Sequence, residues 1–193
     1  MTICPSWPLA TQELLEVSAD IDVGLHLTLT DQKPLGIMPS LAPEGWFPSL
    51  RNLIFSSLTK RLDTEEIKAE IHRQIDEFEV YMGRPPDFVD GHHHVHQLLG
   101  IQDAVIEVVK ERLNKRGFFI RCCWESPASI VSRRVHMTRA FFVAIPGWLL
   151  RNRLLKNGIA FNQGFAGVHS FTGEVDFYVL MRKFIKSHKN AGL

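Results

Sequence analysis

Long apolar runs are missing from this sequence of 193 residues. No stretch reaches the roughly 20 residues that a membrane-spanning helix needs, and the N-terminus lacks a basic region followed by an apolar core. The expectation is a cytoplasmic protein. Charge of one sign is also missing: 22 Lys and Arg against 21 Asp and Glu leave a net charge of +1, which gives no electrostatic footprint for nucleic acid or an anionic membrane. Cysteine is scarce. Cys4, Cys122 and Cys123 cannot build a disulfide framework, and two adjacent cysteines fit a reduced, strand-like segment. There is no internal repeat and no low-complexity linker. With 45% hydrophobic and 22% charged residues, the chain suits one soluble domain, residues 1–193, with a sizeable core.

What the sequence has instead is histidine in one place. Four of its nine histidines fall within five residues, in Asp90-Gly91-His92-His93-His94-Val95-His96. Packing explains such a run poorly, because histidine is neither a strong strand former nor a strong helix former, and it is the side chain most used to bind metals. A solvated loop is the plainer alternative; an expression tag is not, since the run is internal and broken by valine. Asp87 to Asp90 reads as a short strand released from the turn Gly83-Arg84-Pro85-Pro86. The residues from Ile101 read as a helix. The cluster therefore sits where a strand ends and a βα loop begins, the edge at which ligands collect in α/β proteins. Asp90, two residues before His92, shares its face if the strand continues, and can orient an imidazole.

A second histidine stands on a second strand. Ile21 to Thr30 alternates without a break, with Ile21, Val23, Leu25, Leu27 and Leu29 on one face and Asp22, Gly24, His26, Thr28 and Thr30 on the other. His26 is either a satisfied strand residue or a ligand, and the polar residues on its face keep both readings open.

The remaining segments supply a βα rhythm. Ala10–Ser18 reads as a helix burying Leu14, Leu15 and Val17. Asp31 to Leu62 reads as a long irregular stretch with four prolines, Trp46 and Phe47, either a lid or substrate wall or a loop that its aromatics pin to the core. Asp63 caps a helix whose stripe is Ile67, Ile71, Ile75 and Phe78, with Glu66 placed for a capping box and Gly83 as terminator. His72 falls on its exposed side. Ile101 to Arg116 is amphipathic, and Phe118 to Cys123 is the next strand. On it Arg121 surfaces beside the histidines, where it either binds an anionic or carbonyl group or pairs with a structural carboxylate. Ser126 to Arg139 reads as a basic, solvated loop. Ala140–Lys156 reads as a helix broken at Pro146-Gly147, Ile159–Val168 contains a strand, and Glu174–His188 is a helix with Phe177, Leu180, Met181, Phe184 and Ile185 inward. Strands alternating with helices make a parallel sheet in which His26 and His92 both lie at C-terminal strand ends and can converge.

Val23 to Thr30 followed by Lys33-Pro34-Leu35, together with Pro86 to His96, resemble the YdjC-like carbohydrate deacetylases, of the chitooligosaccharide and hopanoid-associated type. Ile120-Arg121 and Gly164 to Val168 are similar to that family as well, so the resemblance spans nearly the whole chain. It implies an α/β fold, a parallel (β/α) barrel-like domain of the polysaccharide-deacetylase kind. It also implies hydrolysis of an N-acetyl group from an amino sugar at a divalent metal, Mg²⁺ or Zn²⁺. Imidazoles favour zinc, while carboxylate-and-water sites tolerate harder ions. By the resemblance His26 and His92 are metal ligands, Asp90, His94 and His96 support the site, and Arg121 lines it.

The family's first strand ends in an Asp-Asp pair that includes the catalytic carboxylate, and a His-Pro strand follows its last helix. Neither motif occurs here, so the domain is expected to be incomplete at both ends and its metal binding weak, with only two imidazole ligands. Unpaired neighbouring strands are expected to favour homo-oligomers. By the resemblance the expected partner is a small carbohydrate substrate, with no nucleic acid and no membrane. The alternative is a non-catalytic or truncated relative that keeps the fold and only binds metal or carbohydrate.

Overall fold

The computed structural model describes residues 1–113, 117–169 and 176–189, the side chains of 187–189 excepted. Packing divides the chain into two compact units, Met1–Arg121 and Cys122–Leu193.

The first unit holds three short parallel strands, β1 (Leu25–Leu27), β2 (Phe88–Gly91) and β3 (Phe119–Ile120), in the order β1-β2-β3. Four α-helices among the described residues accompany them: α1 (Trp7–Val17), α2 (Leu50–Leu58), α3 (Thr64–Met82) and α4 (Ile101–Arg112). The sheet is parallel, as the βα rhythm requires; closure into a barrel is not seen among the described residues.

Only three of the ten residues from Ile21 to Thr30 form strand, yet the alternation holds further. Val23, Leu25, Leu27 and Leu29 are all buried, whereas Ile21 is half exposed. The opposite face is not open either, because Thr28 and Thr30 are fully buried. Gln74 of α3 explains how. Its side-chain amide accepts from Thr28 N (3.0 Å) and donates to Thr28 O (2.8 Å), satisfying the backbone just past β1 as a neighbouring strand would.

Helix α3 follows its sequence signals. The Asp63 carboxylate accepts from the amides of Glu65 and Glu66, Gly83 closes the helix with φ of 66°, and Ile67, Ile71, Ile75 and Phe78 are buried. Glu66 does not close a capping box. Its carboxylate reaches away, to Ser40 N and Leu41 N (both 2.9 Å), and holds the loop after β1. His72 is half-buried and contacts Arg112 rather than pointing freely into solvent.

The N-terminal segment corrects the sequence reading. Residues 2–6, before α1, form turns. The helix buries Trp7 and Thr11 while Leu15 and Val17 are exposed; Trp7 stacks on Phe78 at 5.7 Å, and a large flat indole wins that contact over aliphatic side chains a turn later. The stretch from Asp31 to Leu62 also conceals α2, which Ser49 caps through Asn52 N. For α4, the expected extension to Arg116 falls outside the described residues.

The second unit contains α5 (Pro127–Arg133), α6 (Met137–Asn157) and α7 (Phe177–Lys189). The expected basic loop is mostly helix. Arg133 is buried, paired through both guanidinium nitrogens with the Glu125 carboxylate, so it is not part of a solvated face. Pro146 does not break α6. Gly147 lies against the backbone of Cys123 and Trp124, where a Cβ would come within 2.6 Å of Trp124 N. Within Ile159–Val168 only Phe161 makes a bridge. On α7, Leu180 and Phe184 are buried, while Phe177, Met181 and Ile185 remain exposed; the expected start at Glu174 lies outside the described residues.

Candidate active site

The register of the sheet puts the key side chains in a row. His26 pairs with Asp90 across β1 and β2, and Arg121 donates its backbone N–H to Val89 O at 2.9 Å as β3 ends. Adjacent positions on parallel strands project their side chains to the same face. So His26, Asp90 and Arg121 meet at the C-terminal edge of the three strands.

Asp90 is the hub. It is buried, and its two oxygens are divided between two partners: Oδ1 lies 2.6 Å from His26 Nδ1, and Oδ2 lies 2.9 Å from the Arg121 guanidinium. Burial alone raises a carboxyl pKa, but the His26 hydrogen bond and the Arg121 charge outweigh it and hold Asp90 below the ordinary carboxylate value. Asp90 is therefore an anion, which can only accept. His26 Nδ1 must carry the proton of that bond, which makes Nε2 the ring's lone-pair nitrogen in the neutral imidazole.

The histidine cluster, His92–Gln97, is two short 3₁₀ turns joined by a kink at His93 and His94. His93 and His94 both adopt left-handed backbone, with φ of 53° and 59°. Consecutive left-handed residues that are not glycine are costly, roughly 1–2 kcal/mol each, and such strain collects at functional sites. Here it folds four imidazoles back on the strand ends. The His92 ring stands edge-on to His26 with centroids 5.6 Å apart, and it stacks at a tilt on His93 at 3.9 Å. His93, the exposed one, shares a hydrogen bond with Thr30 Oγ1 (3.2 Å) and lies 3.7 Å from the Asp31 carboxylate.

The protonation states favour lone pairs. Burial, with the neighbouring imidazoles His93 and His26, lowers the His92 pKa below its ordinary value. Burial and then the Arg121 charge push His94 down to about 4. His96, fully buried, falls to about 3. Its Nε2–H donates to the Arg121 carbonyl at 2.7 Å, tying the 3₁₀ segment to the end of β3. Gly91 makes room for that ring: a Cβ there would fall 2.6 Å from His96 Nδ1.

His26, Asp90, His92 and Arg121 are thus in one place, with His94 and His96 behind them. Arg121 takes the second of its two open readings at least in part, since it pairs with Asp90. Sequence reasoning did not connect Thr30 and Asp31 to His93. Their signal was present, Thr30 on the polar face of the strand and Asp31 immediately beyond it. Asp22, on the same face by alternation, is exposed and outside β1.

No three His, Cys, Asp or Glu side chains are grouped as a metal site among the described residues. The donors that are grouped suit a divalent ion: two imidazoles at strand ends, one held in the required tautomer by a carboxylate that is itself held by an arginine. This is the orienting arrangement that metal-binding histidines ordinarily have.

The chain matches the YdjC-like protein family over residues 1–192, and it belongs to that family. It is 42% identical over 102 residues to a chitooligosaccharide deacetylase of Serratia marcescens, covering 52% of this chain and 38% of that protein. It is 34% identical over 96 residues to the chitooligosaccharide deacetylase of Proteus mirabilis, covering 48% and 36%. The aligned regions thus take in well under half of these relatives' lengths. Among solved structures, it resembles a putative cellobiose-phosphate cleavage protein from Enterococcus faecalis, with a TM-score of 0.51, 17% identity, and coverage of 97% of this chain and 76% of the other. At that identity the likeness concerns the fold. No helix among the described residues is long and apolar enough to cross a membrane.

Proposed function

We propose that the strand-end cluster is the centre of a carbohydrate deacetylase that hydrolyses the N-acetyl group of an amino sugar or chitooligosaccharide-like substrate, with His26 and His92 holding a divalent metal, Mg²⁺ or Zn²⁺. The observation that carries the reading is the Asp90–His26 hydrogen bond, which leaves His26 Nε2 as a lone-pair nitrogen beside a second imidazole of lowered pKa. The names of the relatives in Serratia and Proteus supply the substrate class.

A bound divalent metal would supply Lewis acidity toward the acetamide carbonyl and lower the pKa of a water. The residues of the chain do the rest. Asp90 fixes the His26 tautomer, and Arg121 keeps Asp90 ionised. His94, neutral at physiological pH, adds no positive charge that would repel a cation. The buried His96 bond to the Arg121 carbonyl sets the position of the strand end from which Arg121 projects.

A second reading is favoured by the same hub. Both Asp90 oxygens are engaged, so Asp90 is poorly placed to take a proton from water. That suits a relative that keeps the fold and binds metal or carbohydrate without turning it over. Acetate release from N-acetylated chitobiose, with Zn²⁺ or Mg²⁺ added, separates the two. The hydrolase reading expects release that falls to background in His26→Ala. No release from a chain that still binds the metal would leave the second reading standing.

A further inference from the structure

The segment between β1 and α2 is built like a platform. Its neck is closed by two backbone hydrogen bonds, Phe47 N to Gln32 O at 2.8 Å and Asp31 N to Pro48 O at 3.4 Å. Its body is fixed to α3 by two carboxylates: Glu70 accepts from Leu35 N at 3.0 Å, and Glu66 accepts from Ser40 N and Leu41 N. Met38, Ala42 and Phe47 are buried beneath it. Closed loops of this kind, packed on their own side chains, are frequently functional.

Its two neighbouring aromatics divide the work. Phe47 is 5% exposed and anchors the loop; Trp46, the adjacent residue, is 55% exposed. An anchoring role for Trp46 is therefore already filled. Tryptophan is usually well covered, and here a fixed loop holds the indole half in solvent. Lys33 Nζ stands over one face of the indole, 5.2 Å from its centroid. Lys33 also lines a cavity of about 340 Å³ with Pro34, Ile37, Met38, Pro43 and Gly45, and Trp46 stands just outside that lining. That volume falls at the lower end of small-molecule sites, roughly 300–1,000 Å³. The neck of the loop opens on the candidate active site, since Thr30 and Asp31 both contact His93.

We infer that this loop is a preformed carbohydrate subsite in which the face of Trp46 that Lys33 does not cover stacks on a sugar ring other than the one that reacts. The inference rests on the carbohydrate reading above. It fits the chemistry of a pyranose, which presents a C–H-rich face to an aromatic ring and hydroxyls at its edge. It also accounts for the rigid attachment of the loop, because a pre-ordered aromatic gives affinity without an ordering cost.

The test is calorimetric titration of the 193-residue chain with N-acetylglucosamine, N-acetylated chitobiose and cellobiose, repeated on Trp46→Ala and Trp46→Phe. Trp46 is exposed, so neither substitution threatens folding. The expected result is about tenfold weaker disaccharide binding in Trp46→Ala, partial recovery in Trp46→Phe, and an unchanged monosaccharide affinity. Disaccharide binding that is equal in the parent chain and Trp46→Ala overturns the subsite and leaves the deacetylase reading intact. Binding of cellobiose, but not of acetylated sugars, that depends on Trp46 supports the platform and removes the amino-sugar reading. No binding of any of the three removes both.

Discussion

Asp90→Asn is expected to cost about 2 kcal/mol of stability and to weaken divalent-metal affinity between 10- and 100-fold. The stability figure follows from the ion pair. Removing one partner of a buried pair costs about 3–5 kcal/mol because the other charge is left uncompensated, and the value is reduced here because the Arg121 side chain is 32% exposed. The affinity figure follows from the loss of the anion that orients His26, the histidine proposed as a ligand. An asparagine keeps the shape of Asp90 but cannot offer acceptors to both His26 and the guanidinium.

The same pair fixes a pH dependence. The pKa of Asp90 is depressed in the folded chain, so its contribution is fully present above the unfolded carboxyl value of 3.8 and is lost as pH falls through the folded value. Urea unfolding from neutral to acid pH checks this. The gap between the parent chain and Asp90→Asn should be widest at neutral pH and close in acid. A gap that persists unchanged to about pH 2 would assign the stabilisation to something other than the Asp90 charge.

The second large effect is expected at Glu70, which has no exposed surface. It accepts from Leu35 N, from Arg73 Nε (2.8 Å) and from Gln74 Nε2 (3.0 Å), and Gln74 in turn satisfies both backbone groups of Thr28. Glu70→Ala leaves the Arg73 charge half-buried without its carboxylate, frees a loop amide and loosens the side chain that completes the end of β1. A loss of about 3 kcal/mol is expected. Hydrogen exchange at Leu35 should accelerate more than exchange in the centre of α4. A loss under about 0.5 kcal/mol, or acceleration spread evenly over the first unit, would contradict the role given to Glu70.

Much of this site could be read from the sequence, because its signals are short-range. The alternation around His26 and the four-histidine run each marked a strand end, and a parallel sheet brings strand ends together whatever lies between them. The capping of α3 by Asp63 and Gly83 was legible for the same reason. Other features depend on partners far along the chain. Gln74 does the work of a neighbouring strand for Thr28, 46 residues away, so β1 could be read as much longer than it is. Arg133 reads as a solvated charge because a buried pairing with Glu125, eight residues upstream, leaves no pattern in the local sequence. Helix α2 was hidden by the prolines that precede it. The left-handed backbone at His93 and His94 leaves only a weak signal, since histidine adopts it more often than most residues but far less than glycine.

The central claim is that His26, on β1, and His92, 66 residues on and just past β2, form one metal-binding site. Isothermal titration of Zn²⁺ into the 193-residue chain, into His26→Ala and into His92→Ala tests it most directly. The account predicts one ion bound per chain and loss of that binding in both variants. Binding that survives His26→Ala, or no binding by the parent chain, would contradict it.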